Sequence, residues 1–221
     1  MRMTPDLPDR PADTRRLGVK HLFFAFLGLA TLFVIYNNER FIVDHADPLW
    51  EYYRTVRGAL VPHGIAGAIV LCLGATQFST RLRERHTHWH RIFGRCYLIG
   101  VAIAASVSIY ITLAHNALPL QVAIFMQAFL WVLASATAFY CVRRGNYVLH
   151  RQFMIRSYAI TLIFVFDRLF DAIPGVIALD SDVNPSISWL CNVLAWVVPT
   201  YIVAWPALTR PPGAAQAPLR A

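Results

Sequence analysis

The chain has 221 residues, of which 57% are hydrophobic and 14% charged, well short of the roughly one quarter charged residues of a soluble domain. A mean hydropathy of +0.48 and apolar runs close to the ~20 residues that span a bilayer exclude disorder, collagen and coiled coil, and point to a polytopic membrane protein. The 20 Lys and Arg against 12 Asp and Glu do not indicate nucleic acid, because most of these cations stand in short segments between apolar runs, where they act as topology signals.

In chain order, residues 1–18 are polar and contain Pro5, Pro8 and Pro11, so they are expected to form a flexible cytoplasmic tail. The first predicted span, 19–36, is followed by Tyr36, Asn37 and Asn38 rather than a small-residue cleavage site, as an uncleaved anchor would be. The segment 37–57 mixes Trp50, Tyr52 and Tyr53 with charges and suits the outer interface, where rings with a polar edge settle. Further spans are predicted at 58–79, 92–114, 120–142, 157–178 and 187–208, and residues 209–221, with Pro211, Pro212 and Pro218, form a second tail. The fold expected is therefore an all-α membrane helix bundle of six transmembrane helices in one domain, 19–208.

Orientation follows from the cations. The segments 1–20, 80–95, 143–156 and 209–221 hold 16 Lys and Arg, the alternate segments hold 3, and Arg168 stands within a span. Cationic residues resist transfer, so both termini are predicted in the cytoplasm and the protein in a bacterial cytoplasmic (inner) membrane as a multi-pass chain. Cys72, Cys96, Cys141 and Cys191 lack CxxC spacing, which supports neither a disulfide framework nor a zinc ribbon; buried thiols are expected.

The most informative feature is a repeated pattern at the cytoplasmic helix starts. His90-Arg91-Ile92-Phe93-Gly94-Arg95-Cys96-Tyr97 enters the third span, and His150-Arg151-Gln152-Phe153-Met154-Ile155-Arg156-Ser157-Tyr158 enters the fifth. In these HRxxGRxY and HRxxMIRSYA patterns, and in His63 at the head of an earlier span, the sequence resembles the bacterial membrane proteins of domain-of-unknown-function family 2306 over roughly residues 58–175. The resemblance implies a membrane protein and no particular activity.

If the third and fifth spans enter from one side, His90 and His150 lie at one depth and can take the two axial positions of a b-type haem, with Arg95 and Arg151 among the cations available to its propionates. The alternative is that each His-Arg pair anchors its helix to anionic headgroups. His63 is a further candidate ligand; it shares a face with Gly67, Val70, Gly74 and Gln77, small residues that favour close helix packing and also leave space for a flat ligand. A second haem would need His63 with His115, an arrangement not expected of consecutive helices. The triplet His86, His88 and His90 has alternating spacing that zinc or copper can use.

In the fifth span, steps of three or four from His150 give Met154, Ser157, Thr161, Phe164, Arg168 and Asp171, a polar stripe on one face of a continuous helix. Arg168 falls near the midplane, where a charge costs at least about 2.5 kcal/mol and needs a partner. Asp171, one turn on, is the expected one, while Asp167 points elsewhere and either pairs with another helix or sits protonated. Such a pair can fix helix packing or line a proton or ligand path. The leading functional reading is a haem-bearing membrane electron-transfer protein served by a quinone or a membrane redox partner. The alternatives are a proton-coupled small-solute transporter or channel using the midplane charges, and a non-catalytic membrane assembly factor. No P-loop, GxSxG, HExxH or dinucleotide fingerprint is present, so an NTPase, hydrolase or zinc protease is not predicted.

Overall fold

A computed structural model describes residues 14–38, 40, 43–173 and 183–209. Every regular element among them is a helix: α1 (Thr14–Asn38), α2 (Pro48–Tyr52), α3 (Arg57–Thr76), α4 (Thr80–Arg85), α5 (Thr87–His115), α6 (Leu118–Arg143), α7 (Tyr147–Thr161), α8 (Ile163–Asp171) and α9 (Val183–Leu208). Four of them, α3, α5, α6 and the Pro185–Trp205 part of α9, are long and apolar enough to cross a membrane; the apolar stretch of α1, His21–Asn37, is shorter. Between 22% and 33% of each of these four windows is buried in the bundle. The remainder presents side chains such as Leu113, Phe129 and Ile202 outward, a surface that water would not tolerate and lipid does.

Where helices meet, small residues let the backbones approach. On α5, Gly100, Val101, Ala104 and Ala105 are buried, and a methyl added to Gly100 would meet Val70 Cγ2 of α3 at 2.6 Å. On α6, Ala134, Ser135, Ala138 and Cys141 are buried where α7 packs antiparallel to it. Cys72 and Cys96 differ from expectation: both are exposed, whereas Cys141 and Cys191 are buried, and all four are free.

The tight α6–α7 turn follows from Gly145, whose φ of 72° is a left-handed conformation that costs glycine little. Its N–H bonds the Val142 carbonyl and that of Asn146 bonds the Cys141 carbonyl, at 3.1 and 2.9 Å, which closes α6 with a Schellman pattern. Asn146 then caps α7 by accepting from Leu149 N–H. The chain is thereby folded back so that His150 stands beside the last turns of α6.

The fifth predicted span is not one continuous helix. It begins ten residues earlier, at Tyr147, and is interrupted at Leu162. One cause is visible: Thr161 Oγ1 donates back to the Ser157 carbonyl at 3.1 Å, an i−4 bond that competes with the helical ladder and bends it. The stripe is therefore divided. Met154, Ser157 and Thr161 are buried, whereas Phe164 and Arg168 are half-buried on α8, which packs on α9 and α1. The segment between α1 and α3 carries α2, capped by Asp47 with Pro48 in its first turn, and Arg57 lies 4.1 Å over the Trp50 ring.

Candidate functional site

His90 stands in the first turn of α5 and His150 in that of α7, and His150 is near enough to act electrostatically on the His90 imidazole. His150 Nδ1 is 2.8 Å from the Ala138 carbonyl of α6. A carbonyl only accepts, so Nδ1 carries the proton and Nε2 keeps its lone pair; the ring is held in a ligand-ready tautomer. His90 Nδ1 is buried without a hydrogen-bond partner. Gln77, which follows α3 as its C-cap, lies beside Gly94, one turn on from His90, its Oε1 3.4 Å from where a Gly94 Cβ would stand, and Gln77 Nε2 is likewise buried and unsatisfied. A buried polar atom without a partner costs ~1–3 kcal/mol, so a donor or acceptor brought to either atom would be stabilising. Arg91, Arg95 and Arg151 are exposed around this end of the bundle.

Beneath the histidines lies a hydroxyl cluster, of which periodicity singled out Ser157 and Thr161 but not Tyr97 or Ser135. Tyr97, seven residues along α5 from His90, and Ser157, seven along α7 from His150, are both fully buried, and their hydroxyls meet at 2.7 Å. Ser157 also lies 2.7 Å from Ser135 Oγ, which donates to the Trp131 carbonyl. Counting protons orients the chain: Ser135 has spent its hydrogen on a carbonyl, so Ser157 donates to Ser135 and Tyr97 to Ser157. Trp131 Nε1 donates to Thr161 Oγ1 at 3.1 Å. Three helices are thus tied by a satisfied polar network. Ser157→Ala is expected to lower stability by about 1–2 kcal/mol, with Tyr97 re-aimed at Thr161 Oγ1, 3.1 Å away; unfolding in detergent checks this, and an unchanged midpoint would dismiss the chain. The signal was in the two loop patterns, whose closing residues are Tyr97, Ser157 and Tyr158.

The other candidates fall elsewhere. His63 stands in the second turn of α3, its Nδ1 3.1 Å from the Ala104 carbonyl of α5. His115 is eleven residues beyond Ala104, about 16 Å at 1.5 Å per residue, and its ring packs on Tyr52 and Tyr53. These two histidines therefore do not share a ligand. His63, His90 and His150 do not gather into one metal site, and neither do His86, His88 and His90; among the described residues no group of three His, Cys, Asp or Glu converges to hold an ion. His86 and His88 are exposed.

The space expected along Gly67 and Gly74 is half filled. A Gly74 Cβ would collide with the Tyr158 ring and approach Tyr97 Cε2 to 2.9 Å, whereas one on Gly67 meets nothing within 4 Å. As expected, Asp167 turns to another helix, where Ser188 of α9 donates to its Oδ2 at 3.0 Å. Arg168 is within electrostatic reach of His63. The side chain of Asp171, the partner expected for Arg168, lies outside the described residues.

The family model described as "predicted membrane protein (DUF2306)" matches residues 60–206, from α3 through most of α9. No curated protein and no solved structure matches the chain.

Proposed function

The chain belongs to the DUF2306 family of predicted membrane proteins, and from that premise we propose that it is a membrane electron-transfer protein in which His90 and His150 bind a b-type haem between them. The observation that carries the reading is the histidine pair itself: one ring locked by Ala138 with Nε2 available, the other buried with Nδ1 unsatisfied. Gln77 Nε2, Arg95 and Arg151 supply donors suited to propionates. Bound haem would supply one-electron chemistry; the chain's own part is to orient two imidazoles, exclude water and place cations at the membrane edge. Electrons would come from a quinone or a membrane redox partner.

The spectrum of protein purified from haem-replete cells tests this. A Soret band, a reducible α band and one haem per chain are expected. A folded, colourless preparation would overturn the reading.

The same proposal includes a six-span chain in a bacterial inner membrane, with tails 1–18 and 209–221 in the cytoplasm. The 16 to 3 distribution of cations supports it, as does the length of α7 and α8 together, 147–171, about 37 Å at 1.5 Å per residue. With Cys72 and Cys96 replaced, a cysteine at Asp182 should react with an impermeant maleimide on intact cells and one at Arg144 should not. The reverse pattern would invert the topology.

A further inference from the structure

Arg156 is a cation that the histidine pair does not use. It stands on α7, half-buried, with its side chain against α9. Nη1 donates to the Gln152 carbonyl at 3.3 Å and Nη2 to Thr200 Oγ1 at 3.4 Å, both longer than the ~2.7–2.9 Å of a charge-assisted bond. The Phe153 and Trp196 rings flank the guanidinium at 5.4 and 6.0 Å. The ion pairs among the described residues do not include Arg156, and α6, α7 and α9 contain no Asp or Glu. A guanidinium has five N–H donors. Those that Gln152 and Thr200 leave over are not enclosed, since no Arg156 nitrogen is among the buried atoms lacking a partner.

The depth of this cation follows from the packing. Arg156 meets Thr200 and Asp167 meets Ser188, so α7 and α9 run antiparallel, and the start of α7 shares one edge of the bundle with the end of α9. That edge carries the exposed Arg143, Arg144 and Arg151 and, on α9, the exposed Tyr201 and Trp205, rings that settle at a membrane interface. Arg156 is five residues beyond Arg151, about 7.5 Å along the axis. Its bond to Gln152 shows the side chain leaning back one turn towards the edge, as an arginine does when it carries its charge up to the headgroups. In the other direction, the exposed Val197 and Val193 continue along α9 into the apolar layer.

We propose that the groove between α7 and α9 binds one anionic phospholipid, its phosphodiester oxygens accepting from the outward N–H groups of Arg156 and its acyl chains lying over Val197 and Val193. A net negative headgroup is preferred to a zwitterionic one because an ammonium group here would meet cations and no carboxylate. The site is independent of haem.

Native mass spectrometry of the full chain in detergent, titrated with dioleoyl phosphatidylglycerol or dioleoyl phosphatidylcholine, tests it. One phosphatidylglycerol per chain is expected to be retained in preference to phosphatidylcholine. Arg156→Gln should weaken that binding by about tenfold or more, the order of one hydrogen bond to a charged group. Thr200→Asp sets a carboxylate where Arg156 Nη2 now meets a hydroxyl; it keeps the guanidinium partnered inside the bundle, so the fold is preserved, and it should release the lipid to the same extent. Arg144→Gln, which changes an exposed cation over the Tyr140 ring at the same edge, should bind as the parent chain does. Equal retention of the two lipids, or affinity unchanged in Thr200→Asp, overturns the proposal. So does an equal loss in Arg144→Gln, which would reveal diffuse attraction to the whole basic edge, and so does displacement by glycerol 3-phosphate, which would make the site one for soluble phosphate esters.

Discussion

On the haem reading proposed above, His150→Ala is expected to abolish a low-spin haem spectrum or leave a high-spin remnant, and His90→Ala to do the same, because each variant would remove one of the two imidazoles that would hold the iron. His86→Ala and His88→Ala, which change exposed rings on the same loop, should leave the spectrum intact. The His150 variant also loses its bond to the Ala138 carbonyl, worth about 1 kcal/mol, so its unfolding temperature should fall by only a few degrees. The readouts are the reduced-minus-oxidised spectrum and thermal unfolding of the same preparation. Haem retained unchanged in both variants would show that these side chains are not its ligands.

Gly74→Ala should destabilise the bundle by about 1–3 kcal/mol, the range for forcing a methyl into a well-packed core. The added carbon would stand 2.6 Å from Tyr158 Cε2 and 2.9 Å from Tyr97 Cε2. Neither ring can swing aside freely, since Tyr158 donates to the Leu71 carbonyl at 3.2 Å and Tyr97 is tied to Ser157. Gly67→Ala is the matched control: with nothing within 4 Å, it should be neutral or stabilising by up to ~1 kcal/mol through helix propensity. Equal unfolding midpoints for Gly74→Ala and the parent chain would mean that α3, α5 and α7 do not meet at this glycine.

Much of the candidate site could be read from residue order. That His90 and His150 come near one another follows from two helices starting at the same end of the bundle, and the turn of Asp167 towards another helix is consistent with the 100° step that separates it from the Arg168 face. Other features could not be read in this way. Whether Gly74 is a gap or a contact depends on Tyr158, eighty-four residues away, and periodicity assigns faces without saying what a neighbouring helix places there. The break at Leu162 is similar: Leu162 is a good helix former, and the interruption comes with a Thr161 hydroxyl engaged by Trp131 and Tyr97 from two other helices.

The amino-acid sequence by itself determined that this is an all-helical membrane protein, where its apolar runs lie and which connecting segments carry its cations, because bilayer thickness acts on each segment locally. The tertiary structure alone decided which imidazole nitrogen of His150 is engaged, that His63 meets the Ala104 carbonyl of α5, and that four hydroxyls from α5, α6 and α7 close into one network. These are properties of contacts between helices. Hydrogen-bond geometry at 2.7–3.1 Å depends on the separation and rotation of two backbones, which are set by where small residues allow close approach, and no single helix encodes that.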